Sequence, residues 1–392
     1  MKHSAEQPVP GPEASLGRAR GKSRIPVIPV LRRLMLVAAM AALIAGVWAG
    51  LLRFGLAWPT LPRLLPMTHG PLMVGGFLGA LISLERAVAL NRAWTYAAPA
   101  AAAIGALLAT IYPLQWAGPL LIAVGSALLV VIMAKLWRLH PTLYGGVLVS
   151  GAVAWLGGNL LWLSGYSIPN VVMWWAGFMI LTIAGERLEL SRMLRLTTTV
   201  QRLFLAAALL FGLGLAISAA DLALGVRIAG AGMIALAAWL LRYDIAWRRL
   251  HAGGQARFVA ICLLSGYAWL VVGGLLALRY GGVSAGMAYD AMLHSIFLGF
   301  VFAMIFGHAL IVFPAILQIR LDYRPRFYIH LALLHVTLAL RVAGDLLVNP
   351  SLRTWSGVLN AVVLLLFLLS TAAAVWQTRA GAMAAAGAAK ER

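Results

Sequence analysis

Two histidines, His69 and His294, occupy comparable places in two long apolar segments. Each is followed by a Gly-Phe pair: Gly76-Phe77 lies seven residues after His69, and Gly299-Phe300 five residues after His294. At 1.5 Å of rise per helical residue, that difference separates the two imidazoles by only about 3 Å in depth. Two imidazoles at one depth on different helices can supply both axial ligands of a haem iron. The competing reading of each is an interfacial histidine bonded to a neighbouring carbonyl. A third pair, Gly177-Phe178, extends the pattern. Nine residues after each glycine stands an ionisable side chain: Glu85 (85 − 76), Glu186 (186 − 177) and His308 (308 − 299). Ionisable groups inside membrane spans are costly and point to function by default. These three are candidates for proton coupling, a second cofactor or a polar ligand. Alternatively, Glu85-Arg86 and Glu186-Arg187 end their spans by reaching toward headgroups. His308 lies fourteen residues beyond His294 (308 − 294), about 21 Å deeper, and cannot ligate the same iron.

The elements that must position these groups are transmembrane helices. The chain is 62% hydrophobic and 11% charged, with a mean hydropathy of +0.92. Apolar runs of about 20 residues, in a solvent that satisfies no backbone group, are helices. Twelve spans are predicted, near 32–56, 67–90, 94–112, 117–137, 142–164, 169–191, 201–220, 224–243, 257–279, 288–315, 328–348 and 355–377. The Gly-Phe pairs fall in spans two, six and ten. This predicts an all-α polytopic integral membrane protein of about 12 transmembrane helices in three four-helix pseudo-repeats, near 31–140, 141–250 and 251–378. A tryptophan before a Gly/Leu cluster opens each unit: Trp48, Trp155 and Trp269. Independent selection of Gly-Phe for packing would give the same marks.

The formal net charge is +20. With the N-terminus inside, about 25 of the 31 basic residues fall on the inner side, which leaves Arg53, Arg63, Arg227, Arg279, Arg341 and Arg353. That is the bias of the positive-inside rule, so the charge sets topology and touches anionic lipid rather than nucleic acid. Both termini are expected in the cytoplasm. Residues 1–30 read as a disordered basic tail, 31–378 as the membrane domain and 379–392 as a cytoplasmic tail. The first span is expected to be an uncleaved anchor. The single cysteine, Cys262, excludes disulfides within the chain and c-type haem attachment.

Twelve spans in three four-helix units, with histidine at the outer ends of spans two and ten, resemble subunit I of the haem-copper oxidases and nitric oxide reductases. The segments from His69 to Phe77 and from His294 to His308 are also similar to the NnrS family, twelve-span haem-containing bacterial membrane proteins linked to nitric oxide stress. The resemblance implies haem b held by His69 and His294. It also implies that Arg341 and Arg353 face the haem propionates; an intrahelical Arg341–Asp345 pair is the plainer reading. The oxidases carry copper-ligating histidines on spans six and seven. Here span six carries Glu186, Arg187 and Glu189, and span seven has no histidine, so no oxidase-type copper centre is expected. His330 and His335 are read as packing residues.

The expected function is that of a haem protein of the bacterial inner membrane. It would act in electron transfer with a quinol or cytochrome donor, or in nitric oxide binding. One rival is a secondary transporter coupled through Glu85, Glu186 and His308. Another is a membrane assembly factor.

Overall fold

A computed structural model describes residues 27–390 except 57, 60–64, 113–114 and 320–321, with side chains described from 29 to 378. The expected disordered tail therefore lies outside the described residues as far as residue 26, and Arg63 and Arg320 of the charge count also lie outside them. Among the described residues the secondary structure is helical throughout, with no strand.

Twelve helices are long and apolar enough to cross a membrane: Pro29–Leu52, Pro71–Leu90, Ala93–Ile111, Ala117–Leu139, Leu143–Leu163, Ile168–Leu194, Thr198–Ser218, Leu222–Tyr243, Gly254–Tyr280, Met287–Leu317, Phe327–Leu346 and Pro350–Thr378. They are numbered spans 1 to 12 in this order. The chain is thus an all-α, multi-pass membrane protein. The helix that carries span 12 continues beyond the span to Lys390.

Spans 2, 6 and 10, which carry the Gly-Phe pairs, form the centre. Of their most apolar stretches 61, 72 and 72% is buried, against 33 to 56% in the other nine. A span surrounded by helices must be apolar on every side, whereas a peripheral one buries a single stripe. Small residues let the peripheral helices approach closely. Gly214 of span 7 and Gly225 of span 8 illustrate this: a Cβ on Gly214 would lie 2.2 Å from the Ala229 nitrogen, and one on Gly225 2.2 Å from the Ser218 nitrogen. The helix backbones touch there.

Two of the central spans are not α-helical throughout. A single 3-10 turn over Leu65–Thr68 precedes span 2, which is π-helical over Pro71–Gly79. Span 10 is α-helical over Met287–His294 and π-helical over Ser295–Phe302. Pro71 has no N–H to give to the preceding turn. In span 10 the Ser295 hydroxyl donates to the Ala291 carbonyl at 2.8 Å, competing with the backbone ladder. Span 6 carries the same Gly-Phe mark and stays α-helical over Ile168–Ser191.

The tryptophans that open the second and third units seat against these widened segments. A Cβ on Gly79 would lie 2.1 Å from Trp155, and one on Gly299 2.4 Å from Trp269. Trp48 differs. It is exposed, packs edge-on against Trp58 at 6.1 Å, and its indole donates to the Pro59 carbonyl.

Gly214→Ala should force spans 7 and 8 apart, costing about 1–3 kcal/mol and lowering the thermal midpoint in detergent by several degrees. Gly212→Ala, with nothing within 4 Å of the added carbon, should leave the midpoint unchanged or slightly raised. Equal midpoints for the two variants would contradict the close backbone contact.

Candidate functional site

The structure brings His69 and His294 together. Their ring centroids are 6.4 Å apart and their planes are inclined by 28°. His69 Nδ1 lies 2.7 Å from the Gly46 carbonyl of span 1. His294 Nδ1 lies 2.9 Å from the Asp290 carbonyl one turn back, and 3.3 Å from the Asp290 carboxylate. A carbonyl only accepts, so each Nδ1 carries the proton and each Nε2 presents its lone pair. Metal-ligating histidines are commonly fixed by this arrangement.

Span 1 makes room for His69. Gly46 and Gly50 are four residues apart on one helix face. A Cβ on Gly50 would lie 3.0 Å from both Cε1 and Nδ1 of the His69 ring. Below the histidines, Phe77 and Phe302 stack at 5.9 Å. Both phenylalanines lie eight residues after their histidine (77 − 69, 302 − 294). Phe300, the partner expected from the Gly-Phe mark, packs instead toward Tyr267 at 6.5 Å. The facing register of the two spans is therefore set from the histidines, two residues away from the register implied by Gly-Phe.

Arg341 and Arg353 reach this site through carboxylates. Arg341 binds Asp290 with two parallel bonds, Nε to Oδ2 at 2.8 Å and Nη2 to Oδ1 at 3.0 Å. Arg353 pairs with Asp345 at 2.8 Å and lies 3.7 Å from Asp290. Both guanidinium groups sit over the Phe54 ring, at 5.0 and 5.1 Å. Arg341 is thus committed to span 10 rather than to Asp345 on its own helix. Two cations face two carboxylates, and the quartet balances its own charge.

The ionisable residues nine beyond each glycine do not form one cluster. Arg86 of span 2 bonds Glu186 of span 6 and stands 4.0 Å from Glu85. His308 gives its Nδ1 proton to the Met304 carbonyl of its own helix at 2.9 Å, and no ion pair joins it to either glutamate among the described residues.

A network missed by sequence reasoning lies beside them. Arg187 makes a two-pronged contact with Asp244, Nε to Oδ2 at 2.8 Å and Nη2 to Oδ1 at 3.0 Å. Tyr267 donates to Oδ2 at 2.9 Å, and the Ala246 N–H donates to Oδ1 at 2.6 Å. Each carboxylate oxygen thus receives two donors. The residues come from span 6, the turn after span 8, and span 9. The sequence signal was an aspartate at the end of an apolar run; its partner, 57 residues away, was not legible.

Two further histidines read differently from the pair. The Trp269 indole donates to His335 Nδ1 at 3.0 Å, which puts the His335 proton on Nε2, the opposite tautomer. His330 is 1% exposed, its two nitrogens have no hydrogen-bond partner among the described residues, and Phe258, Phe306, Phe327 and Phe367 surround the ring. Among the described residues no group of three or more His, Cys, Asp and Glu is placed to hold a metal ion.

The chain belongs to the family described as Domain of unknown function (DUF8744), which matches residues 32–376. No curated protein and no solved structure matches it.

Removing Asp244 alone, as Asp244→Leu, would leave the Arg187 charge buried without a partner, at a cost of about 3–5 kcal/mol. The double change Asp244→Leu/Arg187→Leu should recover much of that loss in thermal midpoint and monodisperse yield. A double variant no better than Asp244→Leu would show that the ion pair is not the source of the effect.

Proposed function

We propose that this member of the DUF8744 family is a haem protein of the bacterial cytoplasmic membrane that carries electrons through one haem b held between His69 and His294. The observation behind this reading is the pair itself: two imidazoles 6.4 Å apart, both with Nδ1 tied back and Nε2 unprotonated. His69 and His294 would be the residues that hold the haem iron, through their Nε2 atoms. Haem held in this way supplies one-electron redox chemistry.

The chain's own groups would do the rest. The Gly46 carbonyl fixes the orientation of His69. The carbonyl and carboxylate of Asp290 do the same for His294 and raise its basicity. Arg341 and Arg353 then act as positioning residues through Asp290 rather than as dedicated propionate partners, since Asp290 and Asp345 already engage their charges. The Phe77–Phe302 stack bounds the gap on the inner side. With both imidazoles engaged in holding the haem, electron transfer, with a membrane quinol or a cytochrome as donor, would be favoured over binding of nitric oxide. A transporter reading draws no comparable support, because Glu186 is paired with Arg86 and His308 is tied to its own helix.

Purified protein expressed with haem available should show a b-type pyridine-haemochrome spectrum near one haem per chain. His69→Ala and His294→Ala should each abolish six-coordinate low-spin absorption while eluting as folded protein. Folded wild-type protein without haem would refute the reading.

A further inference from the structure

We propose that the arginine-rich end of the bundle carries a pocket for the phosphate-bearing headgroup of an anionic phospholipid. A cavity of ≈ 530 Å³ opens between the connection after span 6 and the turn after span 8. That volume lies within the usual range of small-molecule sites. Leu194 and Leu196 line one wall, and Leu241, Arg242, Trp247 and Arg248 line the other. Arg195, between the two leucines, is left-handed with φ 52°, a conformation that a branchless glycine would adopt more readily. Asp244 is also among the lining residues, and its carboxylate is engaged by Arg187, Tyr267 and the Ala246 N–H. It therefore does not neutralise the rim. Arg242 and Arg248 are exposed, and among the described residues no carboxylate lies within 4.0 Å of either.

The remaining surface selects a lipid over a soluble anion. The cavity presents two cations and three leucines side by side, which suits a ligand with a phosphate and an acyl root. Beyond it Leu190 and Met193 are exposed, at 45 and 67%. Trp247 is half exposed, and its indole donates to the Leu241 carbonyl. Tryptophans prefer this interfacial depth, and basic pockets between spans on the cytoplasmic side accept anionic headgroups.

The test is native mass spectrometry of the delipidated full chain with dioctanoyl phosphatidylglycerol, dioctanoyl phosphatidylcholine or inorganic phosphate. Wild type should prefer phosphatidylglycerol by roughly 10- to 30-fold, the scale set by two surface arginines. Arg242→Gln/Arg248→Gln should lose that preference, and Arg138→Gln, an exposed arginine outside the pocket, should keep it. Both arginines are exposed, so the double variant should elute as folded protein. Equal retention of the two lipids, or a preference surviving in the double variant, overturns the proposal. Displacement of phosphatidylglycerol by millimolar phosphate would overturn the lipid assignment in favour of a soluble phosphate. Haem content does not enter any of these readouts.

Discussion

A polar group buried in a lipid-embedded bundle must find its partner inside the protein, and the rest of this structure follows from how few partners there are. With 11% charged residues, the chain uses its buried charges as ties between helices. Arg86 joins spans 2 and 6. Arg187 joins span 6 to the turn after span 8, and through Asp244 to Tyr267 on span 9. At the opposite end Asp290 joins span 10 to span 11, and Arg353 draws in the start of span 12. Such pairs add little net stability over apolar packing, but half a pair is strongly unfavourable. They therefore fix which helices are neighbours, while glycine and leucine contacts between them supply the adhesion.

The His69–His294 pair depends on local departures from α-helical geometry that these ties make tolerable. His294 stands immediately before a π-helical run and His69 two residues before one, and such runs are often associated with functional sites. Widened turns change the direction in which successive side chains point. In both spans, eight residues bring a phenylalanine beneath the histidine, where it meets its counterpart from the other helix. Trp155 and Trp269 fill the space at Gly79 and Gly299, so the irregular backbone is buried in protein rather than exposed to lipid.

Twelve spans and most of their ends were legible because hydrocarbon thickness and backbone satisfaction leave a strong, local imprint on composition. The meeting of His69 and His294 was legible too, since equal depth on two helices is a statement about rise per residue. The register was not. Counting from Gly-Phe assumes the same turn throughout, and the π-helical runs in spans 2 and 10, absent from span 6, break that assumption. Long-range charge pairing was also hidden. Arg341 had Asp345 one turn away, yet its two-pronged bond goes to Asp290, 51 residues away. Sequence proximity ranks intrahelical partners first, whereas in the fold Arg341 bonds Asp290 on span 10 and Arg353 pairs with Asp345.

The histidines show how tautomer separates candidates that composition treats alike. His69, His294 and His308 all give Nδ1 protons to carbonyls, and so present Nε2 as a ligand or proton acceptor. His335 is fixed the other way by Trp269, and His330 is enclosed by phenyl rings. Depth then divides the first three, because His308 lies some four helical turns from His294 and shares no partner with it. What remains is two imidazoles from separate helices, each with its Nδ1 proton tied back to a carbonyl and with 6.4 Å between ring centroids. A pair of interfacial histidines needs only one carbonyl each. It has no need of a glycine on span 1 cleared for one ring, or of a carboxylate held by two arginines behind the other. Those supporting features cost packing and charge beyond what an interfacial pair requires, and that excess is what the proposed haem ligation would explain.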